Sequence, residues 1–502
     1  MKIRSLLLGS VAAAGLSTGA FAADLGVLTS LDVCDALGIS GLTLSSDSNC
    51  LSITGGVSYE FTWGDYGGDT TVYFGNIGRG NTNVITGGSR YLGDDGPDFD
   101  EDADLGLDWD NRVEAWLKLT AAAASDFGTA KAIIGFRQYQ HTRVRNEVTV
   151  FDPNDSYEGW RAGPQDFEGS LGWGDNLPLE LDEAYVSIGD STVIMAGLRR
   201  HGINGSIANV DDDAAFTLVQ PFHSSTVTGS GVLIEGGKDD LRFGGAAIQV
   251  VSDLGNGFSV GAALENIDNS QYAVAPSMTA SNNAANAGTL LGVINYKGDG
   301  VTAHVTGGAF GVLDADVNNY FVHAGATGTF DNFRVRGAFG YESDLASTGA
   351  DDAVWNALVS AEATFDIFKL AAAFDYADGD AVDEQYGVAL SAAFTVTDTV
   401  GINLLGRWAH NENVVAAEAD TYHVAAQLVA SVTESIKLTG EVGGYFNDGG
   451  FAVTGQADTD SIYYGSLEAA WAPGGGYTAS IKGEVNSVEA YRATFKAAKS
   501  FQ

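Results

Sequence analysis

The stretch YGVALSAAFTVTDTVGINLLGRWA, Tyr386 to Ala409, reads as two extended segments around a three-residue turn. In the first, Tyr386, Val388, Leu390, Ala392, Phe394 and Val396 share one face, and Gly387, Ala389, Ser391, Ala393 and Thr395 share the other, because strand side chains point alternately to opposite sides. The second sets Val400, Ile402, Leu404, Gly406 and Trp408 against Gly401, Asn403, Leu405, Arg407 and Ala409. One face is oily and the other small or polar, and only Thr397, Asp398 and Thr399 separate the segments, so the unit is a hairpin. It recurs at Tyr422 to Val432 with Ile436 to Phe446, and at Ile462 to Ala472 with Tyr477 to Val485. Between hairpins the connections lengthen and turn polar, as in AHNENVVAAEAD and NDGGFAVTGQADTD. Alternating strands joined by short turns and long loops in succession are the signature of a transmembrane β-barrel, whose tilted strands need about 9 to 11 residues to cross the bilayer. A soluble β-sandwich also alternates, with shorter strands and a wetter outer face.

The two ends agree with export. The opening MKIRSLLLGSVAAAGLSTGAFAAD carries Lys2 and Arg4, an apolar run, and Ala20, Phe21 and Ala22 as a small-x-small cleavage site. It reads as a signal peptide over residues 1–22, followed by a short segment over 23–50 and a barrel domain over 51–502. The only cysteines, Cys34 and Cys50, are expected to form a disulfide in an oxidising compartment. At the other end Tyr491, Ala493, Phe495, Ala497 and Phe501 share a face opposite Arg492, Thr494, Lys496 and Ala498, the pattern of an aromatic-ended closing strand. Lys499 on an outward position and Gln502 after the last aromatic depart from it.

The run VCDALGISGLTLSSDSNCLSITGGVSYEFTWGDY, Val33 to Tyr66, resembles the paired-cysteine N-terminal segment of alphaproteobacterial porins of the Rhizobium and Brucella type. The likeness continues in SDFGTAKAIIGFRQ, EAYVSIGDSTVIMAGL and LGNGFSVGAALEN. It implies a homotrimeric outer-membrane channel of sixteen strands whose third external loop folds into the pore. A direct walk from Leu51 to Phe501 finds about twenty candidate strands, so the expectation is an all-β transmembrane antiparallel barrel of 16 to 20 strands with a pore-constricting third external loop.

Two long insertions, Asp65 to Asp108 and Thr142 to Leu179, alternate little and read as external loops. A third, about His201 to Lys238, follows the fifth strand, where the resembled family places its constriction loop. Asp211, Asp212 and Asp213 within it are the residues expected to narrow the pore. On the polar phase of the strands stand Lys118, Lys131, Arg137, Arg334 and Arg336, the candidate basic wall. Carboxylates facing cations across a narrow wet gap set up a transverse field that sorts solutes by charge and dipole. The plainer reading is that these cations are simply the polar half of alternating strands. The direction of Arg199 and Arg200, where strand passes into loop, is open.

With 25 basic and 65 acidic residues the formal charge is −40, which makes nucleic acid an improbable partner. Nine acids and no base fall in DDGPDFDEDADLGLDWD, Asp94 to Asp110. An EF-hand starting at Asp98 would need Gly at Ala103 and Glu at Trp109, so no metal site is expected and the stretch reads as a solvated external loop bridging divalent ions at the lipopolysaccharide surface. Acidic loops lean the channel toward cations, and the basic wall argues the other way.

Catalysis finds little support. Of two G-x-S-x-G matches, Gly15 to Gly19 lies in the signal peptide, and Gly257 to Gly261 opens an alternating strand where a nucleophile elbow needs a helix. The seven histidines show no metal spacing. The rival to a general channel is a substrate-specific channel or ligand-binding barrel using loop aromatics such as Tyr91, Phe99, Trp109, Trp160 and Trp173, which otherwise order loops or form the interfacial girdle. The expected partners are small hydrophilic solutes and ions and outer-membrane lipid, with no cofactor.

Overall fold

The computed structural model describes residues 31–37, 39, 41–46, 48–66, 68–72, 82–86, 108–144, 176–210, 242–267, 287–314, 317, 319–344, 352–380, 382–412, 419–453 and 456–501. The expected signal peptide lies outside them. Twenty antiparallel strands close into a barrel: Asn49–Asp65 pairs on one side with Asp108–Ser125 and on the other with the last strand, Tyr491–Phe501. Every intervening strand pairs with its sequence neighbours. An even count returns both ends of the barrel to the side of the short turns. Twenty is the top of the expected range, and the direct strand walk, rather than the sixteen implied by resemblance, matches it.

The expected tight turns separate the strands Asp108–Ser125 from Gly128–Val144, Asn176–Ile188 from Thr192–His201, Gly244–Gly255 from Phe258–Glu265, and Thr289–Gly298 from Val301–Phe310. Asn319–Phe330 and Phe333–Asp344 meet at another, as do Asp352–Thr364 and Phe368–Gly379. Alternation sets the two faces as read. Val388, Leu390, Phe394 and Val396 are exposed on the outer wall, whereas Ala389 and Ser391 between them are buried on the inner one. The seam is closed by outward aromatics, with Tyr59 beside Phe495 and Trp63 edge-on to Tyr491. The Phe501 ring occupies the place a side chain at Gly55 would take, its nearest atom 2.4 Å from where a Cβ would stand. The closing strand thus fits its aromatic end into a notch on the first.

Two stretches read as loops are more ordered than expected. NDGGFAVTGQADTD forms the tip of the hairpin of Ile436–Val453 with Gln456–Gly474, where Phe451 pairs with Thr459 beyond a register shift. A bulge there lets pairing resume after the alternation lapses, which periodicity alone does not reveal. Within the first long insertion, Gly68–Val72 and Thr82–Thr86 form a separate two-stranded hairpin.

At the short-turn end, Cys34 and Cys50 are disulfide-bonded. Cys50 belongs to the first barrel strand, which begins at Asn49, and with Ala122 it lies on the inner phase. The bond therefore ties the helix Leu31–Ala36 to the inner wall, where Ile39 joins the same buried cluster.

Candidate functional site: the lumen and its inward segments

The lumen is the space enclosed by twenty inner faces, and barrel diameter grows with strand number, so this one is wide unless something fills it. Two elements do. The chain leaving Thr192–His201 turns inward through the short 3-10 turn Ile203–Gly205 and runs along the inner wall to Val210. Gly202, with φ 77, makes the turn, and Gly205 admits no side chain because a Cβ would lie 1.7 Å from the Arg200 carbonyl oxygen. Gln249 donates to the Gly205 carbonyl at 2.8 Å, and the Ile207 N–H donates to Glu265 Oε1 at 3.0 Å. The Asn209 N–H donates to the Thr306 hydroxyl, which donates back to the Asn209 carbonyl, both at 3.1 Å. Ala208 and Val210 pack on Phe243, Ala263, Leu291, Phe310 and Phe321. The returning end is held as firmly: the Arg242 guanidinium lies 4.0 Å from the Phe310 ring centroid and pairs with Glu342 at 2.9 Å.

Both ends of the third long loop are thus fixed inside the barrel. Asp211, Asp212 and Asp213 lie outside the described residues. On another sector of the wall the hairpin of the first long insertion packs against Ile436–Val453, and Asn486 donates to the Ile85 carbonyl at 2.7 Å.

The candidate basic wall is on the inner phase throughout. Lys118 pairs with Glu183 at 2.6 Å, Arg137 with Glu114 at 2.8 Å and Arg334 with Glu362 at 3.5 Å, and Arg336 donates to the Thr327 hydroxyl at 2.8 Å. Lys131 stands nearest the short-turn end, opposite Ala122 and Ser187. The carboxylate partners lie on other strands, for Lys118 two strands away, and depend on register. Arg199 proves to face inward, over the Tyr185 ring, while Arg200 pairs with Asp182. Further inner-wall groups escaped the sequence reading: the pair Lys369 with Glu362, the chain from Asn403 through Gln427 to Glu441 and Tyr464, and the contact between His304 and His323. Each joins residues from different strands.

Of the loop aromatics only Trp109 is among the described residues, and it sits on the barrel strand Asp108–Ser125 as register partner of Trp63, at the level of the outer aromatic girdle. Gly257 lies in a tight turn and Phe258 begins a strand, so GFSVG has no elbow geometry. No group of three or more metal-ligating side chains occurs among the described residues, and no helix there is long and apolar enough to cross a membrane.

The chain is 25% identical over 443 residues to Porin Omp2b of Brucella canis, covering 83% of this chain and 96% of that protein, and equally to Porin Omp2b of Brucella suis biovar 1 and of Brucella abortus. The chain is similar to the Brucella porins. With the closed barrel and the wet, ion-paired inner wall, this makes the porin a passive diffusion channel of the bacterial outer membrane. No family model matches the porin. Solved structures similar to it include OccAB4 of Acinetobacter baumannii, 10% identical with a TM-score of 0.44 over 89% of this chain and 98% of that one. OccK5 of Pseudomonas aeruginosa is 8% identical, with a TM-score of 0.40 over 90% and 98%. Superposition this loose says nothing about pore geometry or solute.

Proposed function

We propose that the porin is a general channel, passing small hydrophilic solutes and ions with only weak charge preference, and not a solute-specific one. The observation that carries this is the pairing of the inner wall: Lys118, Arg137 and Arg334 each face a carboxylate within 3.5 Å, which cancels most of the field a bare basic ladder would exert. The gradient drives transport, so the reading needs no catalytic step and no cofactor. The third loop, anchored inward at Asn209 and Arg242, sets the narrow point, with Asp211, Asp212 and Asp213 as its acidic residues and Lys118, Lys131 and Arg137 as the basic wall. The mature chain begins after Ala22, loses residues 1–22 on export and assembles as a homotrimer embedded in lipid and lipopolysaccharide.

The test is single-channel conductance of the purified protein in a planar bilayer, with the reversal potential under a salt gradient. A general channel gives large ohmic steps in threes, a small reversal potential and no saturable block by any one solute. Saturable block by a single solute class replaces this reading with a specific channel. No steps at all from folded protein removes the open pore.

A further inference from the structure

The seam where the first and last barrel strands meet carries an ion pair unlike the others on the inner wall. Glu60, on Asn49–Asp65, and Lys496, on Tyr491–Phe501, are direct cross-strand neighbours on the inner phase, with the lysine Nζ 2.9 Å from Oε2 of the glutamate. Their side chains are 36% and 58% exposed, whereas in the lysine and arginine pairs described above the carboxylate is at most 23% exposed. The next residue in the same register row is Arg112, on Asp108–Ser125. It too is exposed, with its guanidinium 4.6 Å from the Tyr139 ring centroid. Three charged side chains thus stand side by side across three strands on the inner wall.

The described contacts of the inward segments lie elsewhere. Ala208 and Val210 pack on Phe243, Phe310 and Phe321, and the hairpin of the first insertion meets Tyr477–Asn486 at Asn486, six residues from Ser480, the cross-strand neighbour of Lys496. The charges flanking the row are committed to each other. On one side Lys482 and Arg492 both hold Glu484, and on the other Arg137 holds Glu114. Asp110, two residues from Arg112 on the same face, and Glu468, cross-strand neighbour of Lys482, add two further carboxylates. Between the seam strands themselves, the next inner-phase step is neutral, a hydrogen bond of 3.2 Å between the Thr62 and Thr494 hydroxyls.

We propose that the Glu60–Lys496 pair, with Arg112 beside it, is a charge-selecting station of the channel. A permeating anion takes the place of Glu60 beside Lys496, a permeating cation takes the place of Lys496 beside Glu60, and the balance of the two sets the ion preference. A pair whose carboxylate is buried keeps one partner in one geometry, and its field closes on itself. An exposed pair gains little net energy from its contact, so a mobile ion competes for either member. Fixed charges act on passing ions within about 8 Å at physiological salt, so an exposed pair on the wall is felt by whatever moves along it. Arg112, resting on a ring face, offers an anion in transit a second cation.

This inference rests on the channel reading, and recordings in planar bilayers separate the two. Lys496→Cys is opened as single channels in a KCl gradient and treated from the aqueous phase with a methanethiosulfonate reagent carrying either a sulfonate or a quaternary ammonium. The native cysteines are joined in a disulfide and stay unlabelled. The variant should already favour cations over wild type. The sulfonate adduct should shift the reversal potential further the same way, and the ammonium adduct should return it toward the wild-type value, both in channels already folded and inserted. Glu60→Gln should shift it in the opposite direction, toward anions. Ala497→Cys, one residue on and facing outward, should react with neither reagent. A reversal potential indifferent to the sign of the adduct overturns the station, as does equal labelling of Ala497→Cys. Loss of thermal stability in Glu60→Gln with the reversal potential unchanged makes the pair a staple of the seam and overturns it too. Absence of conductance from folded wild-type protein overturns the channel reading instead.

Discussion

Two sectors of the barrel share the same outer face and have opposite inner ones. Across Thr289–Gly298, Val301–Phe310 and Asn319–Phe330 the outward residues are Ile294, Val305 and Val322; across Asp108–Ser125, Gly128–Val144 and Asn176–Ile188 they are Leu117, Ile134 and Val186. All are exposed and apolar, as a lipid contact requires. Inside, the first sector presents Leu291, Phe310 and Phe321, none more than 2% exposed, and the second presents Glu114, Lys118, Arg137 and Glu183 in ion pairs. The difference follows the third loop. Where the segment 203–210 lies on the wall, the inner face has become a dry core; on the other sector the inner face carries ion pairs. A barrel strand thus has a fixed environment on its outer side only, and its inner side takes its chemistry from whatever the chain folds back onto it.

The largest effect expected is on the face the two sectors share. Phe394→Arg puts a charge among lipids at a cost of about 2 to 4 kcal/mol near mid-bilayer, and should sharply reduce folded, heat-modifiable barrel in outer membranes. Ser391→Arg, three residues away on the inner face, should fold and alter conductance instead. Equal folding of the two would erase the distinction between inside and outside.

The next effect distinguishes the sectors. Phe321→Ala empties part of the dry core and should cost about 3 to 5 kcal/mol by thermal or denaturant unfolding, while exposing the stretch 203–210 to protease in a barrel that still assembles. A matching loss of stability from truncating Arg137 on the wet sector would contradict the comparison. Thr306→Val keeps the shape of the anchor and removes both hydrogen bonds to Asn209, for about 1 kcal/mol, and should raise open-channel noise more than it lowers the unfolding temperature. Smallest of all in stability is Lys118→Ala, within about 1 kcal/mol because the lysine is part-exposed, yet it leaves Glu183 without that partner. The reversal potential should shift toward cations; no shift would remove Lys118 from the conducting path.

The sequence made the architecture legible because the membrane imposes one rule on every strand. Val388, Leu390, Phe394 and Val396 had to alternate with small residues wherever the neighbours lay, and the short turns punctuated the pattern, so faces, hairpins and the upper limit of twenty strands could be read directly. Positions such as Lys118, Arg137, Arg334 and Arg336 could be assigned to the inner phase on the same ground. Their partners could not. The residue opposite Lys118 is Gly135 on one neighbouring strand, and Glu183 comes within reach from the strand beyond it, past the bulge in Asn176–Ile188. The contact between His304 and His323, the seat of Asn209 between Thr306 and Asn295, and the tie of the helix Leu31–Ala36 to the inner wall through Cys50 likewise depend on register and on the inward path of distant segments. Alternation is a local property, set by the pleat and by one solvent, and a sequence states it outright. Which inner faces stay wet and which are sealed depends on long-range packing, and only the folded chain decides it.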